Sequence, residues 1–561
     1  MASLATGPAG AQRKSTSYPR AQTLITSGTQ WGNIQGFNPY SNAYAVGTVG
    51  LCNETLLRYD PLKNKYIDWL AKSAKFTGPR MFTVELRPGI RWSNGKKLTG
   101  QDVAFNFKLG RFVTAYWNNL YKNLKSITVK GLSVTVQFKS TPNYVQWQNL
   151  IWNLPMVYPG QYKTISVATF TTFSPKSPIG TGPYQLASID PTSDVVWEKK
   201  AVWWAAKQKL APSPKPRYVE DLVGGNCNVN CFTCCPNLLY ATLDLGNNYF
   251  PGIQTLVAKG QAQTYYPNAP YDLAAGTTWL TPNTPHKPLN DPRFRRALAE
   301  AVNSYKITGS GDYDGLTTVA NQTGLLKVWN KWIDKSLVKK YGFKISNVSA
   351  AKADLKAAGY KDVNGDGWVE NKDGSTLNLK IEVPSGWSDW EAAESIIVSS
   401  AKAAGIHLTK ARGDSEQSDR NLGAFDLVIE NSTQISDNPW TYFDYLFHLP
   451  IIASGPGQTF ANYGRYYNPK AWAEVQKLDK TPPTDVKGRQ KLINALEKIE
   501  LTQVPNIPLW YGGAWAASQS KYWTNWPSST SNRHYMPTMW RGYMQMTGID
   551  MITHLKQAGT P

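Results

Sequence analysis

Hydrophobic and polar positions follow two different periods along the chain. Residues 81–92 (MFTVELRPGIRW) alternate in their first half, which predicts a half-buried strand, and residues 125–140 form two β-rich runs around Gly131, which predicts a hairpin. Residues 97–113 instead carry apolar side chains at helical spacing behind Thr99, a suitable helix cap. Four further segments have the amphipathic spacing of helices, namely 291–307, 348–360, 391–408 and 488–503.

Helices and strands alternate through the second half of the chain, where residues 377–384 and 424–431 have strand patterns between the helical segments. This alternation predicts α/β lobes. At 561 residues the chain exceeds what one hydrophobic core usually supports, so we expect two or more lobes. Within the helix expected at 291–307, Arg295 and Arg296 are predicted to face solvent while the apolar positions face inward.

The chain is strongly basic, with 60 Lys and Arg against 39 Asp and Glu and a formal net charge of +21. Such a balance suits nucleic acid, an anionic membrane surface or an anionic cell wall. The basic residues form no long run, which favours a generally basic surface over a nucleic-acid groove. No apolar run approaches the ~20 residues that span a bilayer, and residues 1–22 have the composition of a disordered leader.

The aromatic content is high, with 22 Trp, 30 Tyr and 17 Phe. Many of these rings stand beside Gly, Pro, Asn or Ser, whereas core rings more often lie within apolar strands and helices. Rings in polar, turn-rich loops are candidate stacking surfaces for a flat ligand. Most of the Trp residues are still expected to be ordinary packing, and a minority to contact a ligand.

Four of the five cysteines crowd into nine residues, while Cys52 stands alone. The crowded residues are Cys227, Cys231, Cys234 and Cys235. Their spacing, C-x3-C-x2-C-C, has no nearby His and matches no usual zinc pattern. If the protein lies outside the cytoplasm, one or two local disulfides are favoured over a metal site.

Four strings stand out in this order, namely residues 82–107, 177–188, 288–303 and 495–511. Together they resemble the signature of extracellular solute-binding proteins of family 5, the receptors that supply ABC importers. NETLLRYDP at 53–61 fits as well, and the similarity extends from about Thr23 to about Trp526. The resemblance is specific because several unrelated strings occur in the right order and with the right separation.

The resemblance implies a periplasmic-binding-protein-like α/β fold of two lobes joined by a hinge, plus an extra subdomain. The expected division is a leader at 1–22, a discontinuous lobe I at 23–50, 178–276 and 508–561, the extra subdomain at 51–177 inserted in lobe I, and lobe II at 277–507. It further implies a monomer, without catalytic residues or cofactors, that encloses a solute between lobes and delivers it to permease subunits. No nucleic-acid partner is expected. The protein would lie outside the cytoplasm, with a signal sequence absent from this chain and a lipid anchor on a cysteine outside it.

Residues 435–447 (ISDNPWTYFDYLF) bear on the identity of the solute. Peptide-binding members of the family usually carry acidic residues in this loop, often as an Asp-Pro pair. Here Asn438 precedes the proline, and Asp437 lies one position earlier. The surrounding residues resemble members that bind β-linked oligosaccharides of the cello- or manno-oligosaccharide type. We therefore expect such a sugar, with an oligopeptide as the alternative.

A pyranose offers apolar faces to aromatic rings and hydroxyls to Asn, Asp or main-chain groups. Loops that mix Trp with these polar residues are therefore the candidate contacts. The expected ligand-binding residues are Trp31, Asn33, Trp387, Trp390, Asp437, Asn438, Trp440, Trp510 and Trp515. For Trp440, a ligand role and a core role are equally favoured. The residues that follow it at helical spacing are expected in the core, namely Tyr442, Phe443, Leu446 and Phe447.

Two other chemistries have weaker patterns. Residues 362–373 resemble a calcium loop through Asp362, Asn364 and Asp366, but the twelfth residue is Asp373 instead of Glu, so a plain turn is favoured. The sequence contains no Gly-x-Ser-x-Gly, His-Glu-x-x-His, phosphate-binding loop or dinucleotide fingerprint, and no enzyme is expected. A glycosidase that uses two carboxylates remains an alternative, and a nucleic-acid or scaffold protein rests on the charge alone.

Overall fold

A computed structural model defines the fold for most of the chain. It describes residues 18–28, 32–41, 44–112, 115–223, 242–311, 313–411, 413–431, 436–450, 461–531, 534–539 and 543–559. The lobe boundaries expected above stay a prediction, so the parts of the molecule are named below by their sheets.

Strands and helices alternate along the described chain. The strands are β1 (Thr23–Ser27), β2 (Leu57–Asp60), β3 (Lys65–Asp68), β4 (Ala71–Gly78), β5 (Met81–Leu86), β6 (Leu124–Lys130), β7 (Ser133–Phe138), β8 (Tyr184–Asp190), β9 (Asp194–Lys199), β10 (Tyr218–Leu222), β11 (Leu245–Gly246), β12 (Ala274–Pro282), β13 (Leu379–Glu382), β14 (Leu408–Lys410), β15 (Leu427–Glu430), β16 (Ile507–Gly513), β17 (Ala517–Ser518), β18 (Trp523–Thr524) and β19 (Lys556–Gln557). The helices are α1 (Gly100–Lys108), α2 (Ala115–Lys122), α3 (Tyr144–Asn153), α4 (Pro159–Tyr162), α5 (Trp204–Lys207), α6 (Ile253–Ala258), α7 (Pro292–Ala301), α8 (Ser304–Gly309), α9 (Lys335–Tyr341), α10 (Val348–Ala358), α11 (Ser388–Ala403), α12 (Glu416–Leu422), α13 (Trp440–Phe447), α14 (Pro469–Asp479), α15 (Val486–Gln503) and α16 (Tyr543–His554). Short 3-10 turns lie at Arg20–Gln22, Leu109–Arg111, Lys327–Trp332 and Gly413–Ser415. None of the helices in the described ranges is both long and apolar enough to cross a bilayer.

Two large sheets organise the chain. The first sheet has the strand order β17-β11-β1-β10-β9-β8, in which β1 runs parallel to β10 and β11. The second sheet has the order β14-β13-β15-β12-β16, in which β13 runs parallel to β14 and β15 while β12 is antiparallel to β15 and β16. All five residues of β1 are buried, as expected for a strand inside a parallel arrangement. The α/β class predicted from the alternating pattern is confirmed.

A smaller antiparallel sheet has the order β4-β5-β7-β6. The predicted hairpin is confirmed, because β6 and β7 are antiparallel neighbours and Lys130 lies opposite Ser133 at their turn. Gly131 turns the chain there at a φ of 60°. Strand β5 alternates between buried and more exposed positions, as its sequence predicts. Helix α1 packs against β6 and β7. It begins with a reciprocal capping box between Thr99 and Asp102, which confirms the cap indicated by the sequence.

Two strands of the second sheet, β12 and β16, connect it to the first sheet. The segment before β12 and the segment after β16 run side by side, and the Ala514 N–H donates to the Leu273 carbonyl at 2.6 Å. We call residues 263–273 and 514–516 the crossover linkers. Two adjacent connections of this kind are what a hinge between two lobes requires.

The amphipathic segment at 291–307 forms the two helices α7 and α8. Arg295, expected at the surface, is 2% exposed and donates to three main-chain carbonyl groups, whereas Arg296 is partly exposed. Those carbonyls belong to Leu289, Gln503 and Val504. The surface prediction for Arg295 is wrong, because carbonyl oxygens replace water around its guanidinium group and two of them come from a segment distant in sequence.

Candidate functional site

Four aromatic rings from distant parts of the chain meet beside the crossover linkers. Tyr249 follows β11 of the first sheet, Trp515 lies in the second linker, and Trp510 belongs to β16. The ring centroids of Tyr249 lie 5.1 Å from Trp515 and 5.6 Å from Tyr313, and Tyr313 lies 5.2 Å from Trp510. The rings of Tyr313 and Trp515 are stacked, with an interplanar angle of 15°. We call these four residues the aromatic cluster.

A hydrogen bond joins the aromatic cluster to the start of helix α11. Tyr313 Oη donates to Asp389 Oδ2 at 2.8 Å. Asp389 stands between Trp387 and Trp390, whose ring centroids are 4.7 Å apart. Four of the predicted Trp residues, from two segments far apart in sequence, are thus linked by one series of contacts. They are Trp387, Trp390, Trp510 and Trp515.

The crossover linkers also carry a buried carboxyl group. Asp272 is 6% exposed, and its Oδ1 accepts a hydrogen bond from the Ala516 N–H at 3.0 Å. Burial raises the pKa of Asp272 to about 8, because the water that would solvate the anion is excluded. At neutral pH this carboxyl group is therefore mainly protonated, and it can both donate and accept a hydrogen bond. Together with Lys327 and Tyr511 it lines a cavity of about 100 Å³.

The predicted Trp residues divide by burial. Trp390, Trp440 and Trp510 are 5%, 2% and 1% exposed, whereas Trp387 and Trp515 are partly exposed. A ring that protein atoms cover on all sides offers no face to a sugar, so in this conformation the first three rings pack in the core, and their ligand role stays a prediction. The Trp440 indole N–H donates to a main-chain carbonyl at 3.2 Å, which is a core role. The residues expected in the core after it are confirmed as buried, namely Tyr442, Phe443, Leu446 and Phe447.

The loop that precedes helix α13 uses its polar residues for internal contacts. Asn438 is fully buried, and its Oδ1 accepts a hydrogen bond from the Trp440 N–H at 2.9 Å. Its side-chain amide donates to Asp437 Oδ1 at 2.9 Å. These bonds hold the start of α13, so Asn438 acts as a local turn residue here, and its ligand role stays a prediction.

Asp437 faces the hairpin formed by β2 and β3. Its Oδ1 accepts a hydrogen bond from Tyr66 Oη at 2.9 Å. Burial lowers the pKa of Arg489, and the negative charge of Asp437 partly offsets that effect, which shows that the two groups interact. The phenol donor and the guanidinium group partly compensate the charge of this carboxylate, which reduces its attraction for a further cation, such as a peptide amine.

Two further sets of sequence predictions concern a Trp-Asn pair and the cysteines. Asn33 is exposed, and its predicted partner Trp31 lies outside the described residues. The predicted disulfide candidates lie outside them as well, namely Cys227, Cys231, Cys234 and Cys235. Cys52 is described and is a buried free thiol, 1% exposed. Burial raises the pKa of Cys52 to about 12, which disfavours the reactive thiolate.

The acidic turn at 362–373 does not bring its predicted metal ligands together as a set. Within the described residues, the oxygen atoms that lie within 4.8 Å of one another belong to Asp362, Asp366 and Glu370. Asp373 instead accepts hydrogen bonds from Ser375, and Asn364 exchanges hydrogen bonds with Asp366. Both carboxylate oxygens of Asp362 accept main-chain N–H groups within the turn. This bonding is typical of a plain Asx-stabilised turn.

Three members of the site were not predicted from the sequence, namely Asp272, Tyr249 and Tyr313. The two tyrosines stand outside the Trp-rich loops that drew attention to the other rings. Asp272 belongs to no sequence motif. The one feature that could have indicated it as a site residue was its position just before the expected lobe boundary at 276. The two crossover linkers run side by side in opposite directions, which brings Asp272 to the residue after Trp515, whereas Tyr249 and Tyr313 reach Trp515 from other segments.

The chain matches a known protein family over most of its length. The matching family is described as bacterial extracellular solute-binding proteins, family 5 Middle, and the match covers residues 65–220 and 241–453. A similar curated protein is the oligopeptide-binding protein AppA of Bacillus subtilis, which is 25% identical over 354 residues. That alignment spans 60% of this chain and 60% of the length of AppA.

The fold is similar to that of a periplasmic oligopeptide-binding protein of an ABC transporter from Thermotoga maritima. The two proteins are 31% identical, with a TM-score of 0.90, and the match covers 96% of this chain and 100% of the other. A structure of the Thermotoga protein with mannohexaose bound gives 30% identity, a TM-score of 0.84 and coverage of 97% and 100%. The periplasmic-binding-protein-like α/β fold expected from the sequence is confirmed by these similarities.

Proposed function

Because the chain belongs to the bacterial extracellular solute-binding proteins of family 5, we propose that it captures an oligosaccharide outside the cytoplasm. Its role as a solute-binding receptor of an ABC importer follows from the family and from relatives that are transport binding proteins. The proposed solute is a β-linked oligosaccharide of the cello- or manno- type, enclosed beside the crossover linkers and passed to the permease. The receptor would act as a monomer and would carry no catalytic residues.

One arrangement carries the choice of sugar, namely the partly exposed ring of Trp515 beside a neutral carboxyl group. Tyr313 and Asp389 link it to the segment that holds a second partly exposed ring, Trp387. Trp515 and Trp387 can each offer a ring face to a pyranose. Asp272 lines the cavity of about 100 Å³ and accepts a hydrogen bond from the main chain one residue after Trp515. It is mainly protonated at neutral pH and would exchange hydrogen bonds with a hydroxyl group that enters this cavity. The Thermotoga relative, solved with mannohexaose bound, supports the same class of solute.

An oligopeptide is the second candidate. Both AppA of Bacillus subtilis and the Thermotoga relative are named as oligopeptide-binding proteins. A peptide requires an anionic partner for its amine, and Asp437 is the acidic residue in the relevant loop. Its Oδ1 already accepts hydrogen bonds from Tyr66 and Asn438, and the carboxylate interacts with Arg489, so a peptide amine would share a negative charge that is already partly compensated. This competition favours the sugar.

Ligand-dependent thermal stabilisation tests the class of solute. The purified protein is screened against cello-, manno- and xylo-oligosaccharides and against short peptides. A ligand present at roughly a hundred times its Kd adds about 2.7 kcal/mol to the free energy of unfolding, which raises Tm measurably. Stabilisation by one sugar series alone is the expected result. Stabilisation by peptides alone would refute the sugar, and release of shorter sugars during the incubation would identify a glycosidase.

The substitution Trp515→Ala tests the location of the site. Loss of a stacking ring should weaken sugar binding about tenfold or more, equivalent to about 1.4 kcal/mol. Trp368→Ala is a matched control, because Trp368 is also partly exposed and packs against His407, with ring centroids 4.8 Å apart, on the acidic turn. Equal affinities of the two variants in calorimetric titration would remove Trp515 from the site.

A further inference from the structure

The positive charge of the chain is concentrated around the small sheet. Residues 71–162 contain β4 to β7 and α1 to α4, and we call them the small-sheet unit. This unit holds thirteen Lys and Arg but only two acidic residues, Glu85 and Asp102. About half of the net charge of +21 thus comes from about a sixth of the chain. The sequence has no long basic run here, because core positions separate the charged ones.

Four lysines of the small-sheet unit line one groove of about 370 Å³. They stand at the end of α1, at the end of α2, on strand β6 and directly after β7, and all four are exposed. The four are Lys108, Lys122, Lys125 and Lys139. The other lining residues are Tyr121, Leu124, Ser126 and Ile127, so no carboxylate faces the groove. Within the described part of the chain, none of the four lysines forms a salt bridge.

Each of these lysines also has a local structural role. Lys108 and Lys122 lie in the last turns of their helices, where a cation compensates the helix dipole. Lys139 Nζ donates to the Lys122 carbonyl at 2.9 Å, and Lys125 lies on an edge strand, where lysine discourages pairing with other chains. None of these roles requires that the groove be free of acidic residues. The uncompensated charge therefore points to an anionic partner.

We propose that this lysine groove docks the receptor on the anionic phospholipid headgroups of the membrane that contains its permease. The proposal rests on the receptor function stated above, which places the protein beside such a membrane. Lysine is a point charge on a flexible stem, and several lysines on one face suit a fluid layer of phosphodiester groups better than a ligand of fixed geometry. Docking of this kind would hold the small-sheet unit against the bilayer.

The lining of the groove favours a lipid surface over a nucleic acid. Proteins that bind single strands stack bases on several aromatic rings and contact phosphates with arginine as well as lysine. The groove offers one ring, that of Tyr121, and no arginine.

Attraction that depends on charge alone should also be lost as salt shortens the screening length, from about 10 Å at 0.1 M to about 3 Å at 1 M.

Co-sedimentation with lipid vesicles tests the proposal. The full chain is mixed with vesicles of phosphatidylcholine, either pure or containing about a third phosphatidylglycerol, at low and at high salt. We expect binding to the anionic vesicles at low salt, and no binding to the neutral ones or at high salt. The groove variant replaces the four lysines by Gln, and its affinity should fall about a hundredfold or more. If this variant does not fold, the double variant Lys122→Gln/Lys125→Gln replaces it, with a fall of about tenfold or more expected.

A control variant removes the same amount of charge elsewhere. It carries the substitutions Lys335→Gln, Lys339→Gln, Lys352→Gln and Lys356→Gln, all at exposed positions of α9 and α10. The control should bind anionic vesicles like the unchanged protein. Equal losses in both variants, absence of vesicle binding, or tighter binding to single-stranded DNA than to vesicles at the same salt would each overturn the proposal. No solute is present in this assay, so its failure leaves the receptor function untouched, and the thermal-shift screen tests that function separately.

Discussion

The buried carboxylate of Asp479 provides a quantitative test of the structure. Asp479 ends helix α14 and is 1% exposed, and it caps the start of α3 from a distant part of the chain. Its Oδ1 accepts the Gln146 N–H at 3.0 Å, and its Oδ2 accepts the side-chain amides of Asn143 and Gln146, both at 2.6 Å. A charge at this position joins the small-sheet unit to a helix of another part of the fold.

The pKa of Asp479 sets the size and direction of the expected effect. Burial raises this pKa to about 6 in spite of the three donors, whereas an aspartate in an unfolded chain has a pKa of about 3.9. The folded protein therefore holds the proton more tightly than the unfolded chain. The contribution of this group to stability is fully present below pH about 4 and is lost as the pH rises through about 6. A pKa difference of about two corresponds to about 3 kcal/mol.

Asp479→Asn should remove this pH dependence. The amide keeps an acceptor for the Gln146 N–H, and it carries no charge to desolvate. In urea unfolding at several pH values between about 4.5 and 7.5, the stability of the variant relative to the unchanged protein should rise with pH by about 2–3 kcal/mol. Other titrating groups cancel in this difference.

The control is Asp485→Asn, at an exposed residue that caps helix α15 through the Gly488 N–H at 2.8 Å. It makes the same chemical change without altering a buried group. A stability difference for Asp479→Asn that stays constant with pH, or one that falls as the pH rises, would show that the pKa of Asp479 is not raised by burial and would refute the reasoning.

Two further predictions concern other buried groups. Glu54 is fully buried and accepts hydrogen bonds from three indole N–H groups, those of Trp69, Trp203 and Trp204. Glu54→Ala would leave these donors without acceptors, so it should lower the free energy of unfolding by about 3–4 kcal/mol. Urea titration measures this change, and a loss below about 1 kcal/mol would contradict these contacts. Cys52, with its raised pKa, should resist iodoacetamide in the native protein and react after unfolding in urea, as measured by mass spectrometry of its peptide. Labelling of Cys52 at equal rates in both states would contradict its burial.

The elements that could be predicted are those whose determinants lie close together in sequence. The helix behind Thr99 needs only its own capping residues and one apolar stripe, and the hairpin at Gly131 needs two short β-rich runs and one residue that tolerates positive φ. Arg295 shows the limit of this reasoning. Its helical position suggested solvent, but carbonyl groups from the end of α15 surround it in the fold.

The candidate site could be predicted in part, because composition identifies rings that stand in polar loops. Composition could not sort these rings. Trp440 follows Asn438 and Pro439 and Trp515 follows a Gly-Gly pair, so both stand beside turn residues, yet one ring is 2% exposed and the other remains partly exposed. Nor did it indicate Asp272, whose neutral carboxyl group depends on burial between the crossover linkers. Exposure and pKa are set by atoms that other elements bring near.

The order of residues along the chain is enough to predict the strongly periodic helices and strands, the α/β class and the family. It also shows that the chain is basic and rich in Trp. Folding in three dimensions sets which rings join Tyr249 and Trp515, which carboxyl groups are desolvated, and that lysines from two helices and two strand ends share one groove. The two kinds of feature differ in the range of the forces behind them. Backbone hydrogen bonding, capping and side-chain periodicity act over a few residues, whereas burial and electrostatic fields depend on groups that are near in space and remote along the chain.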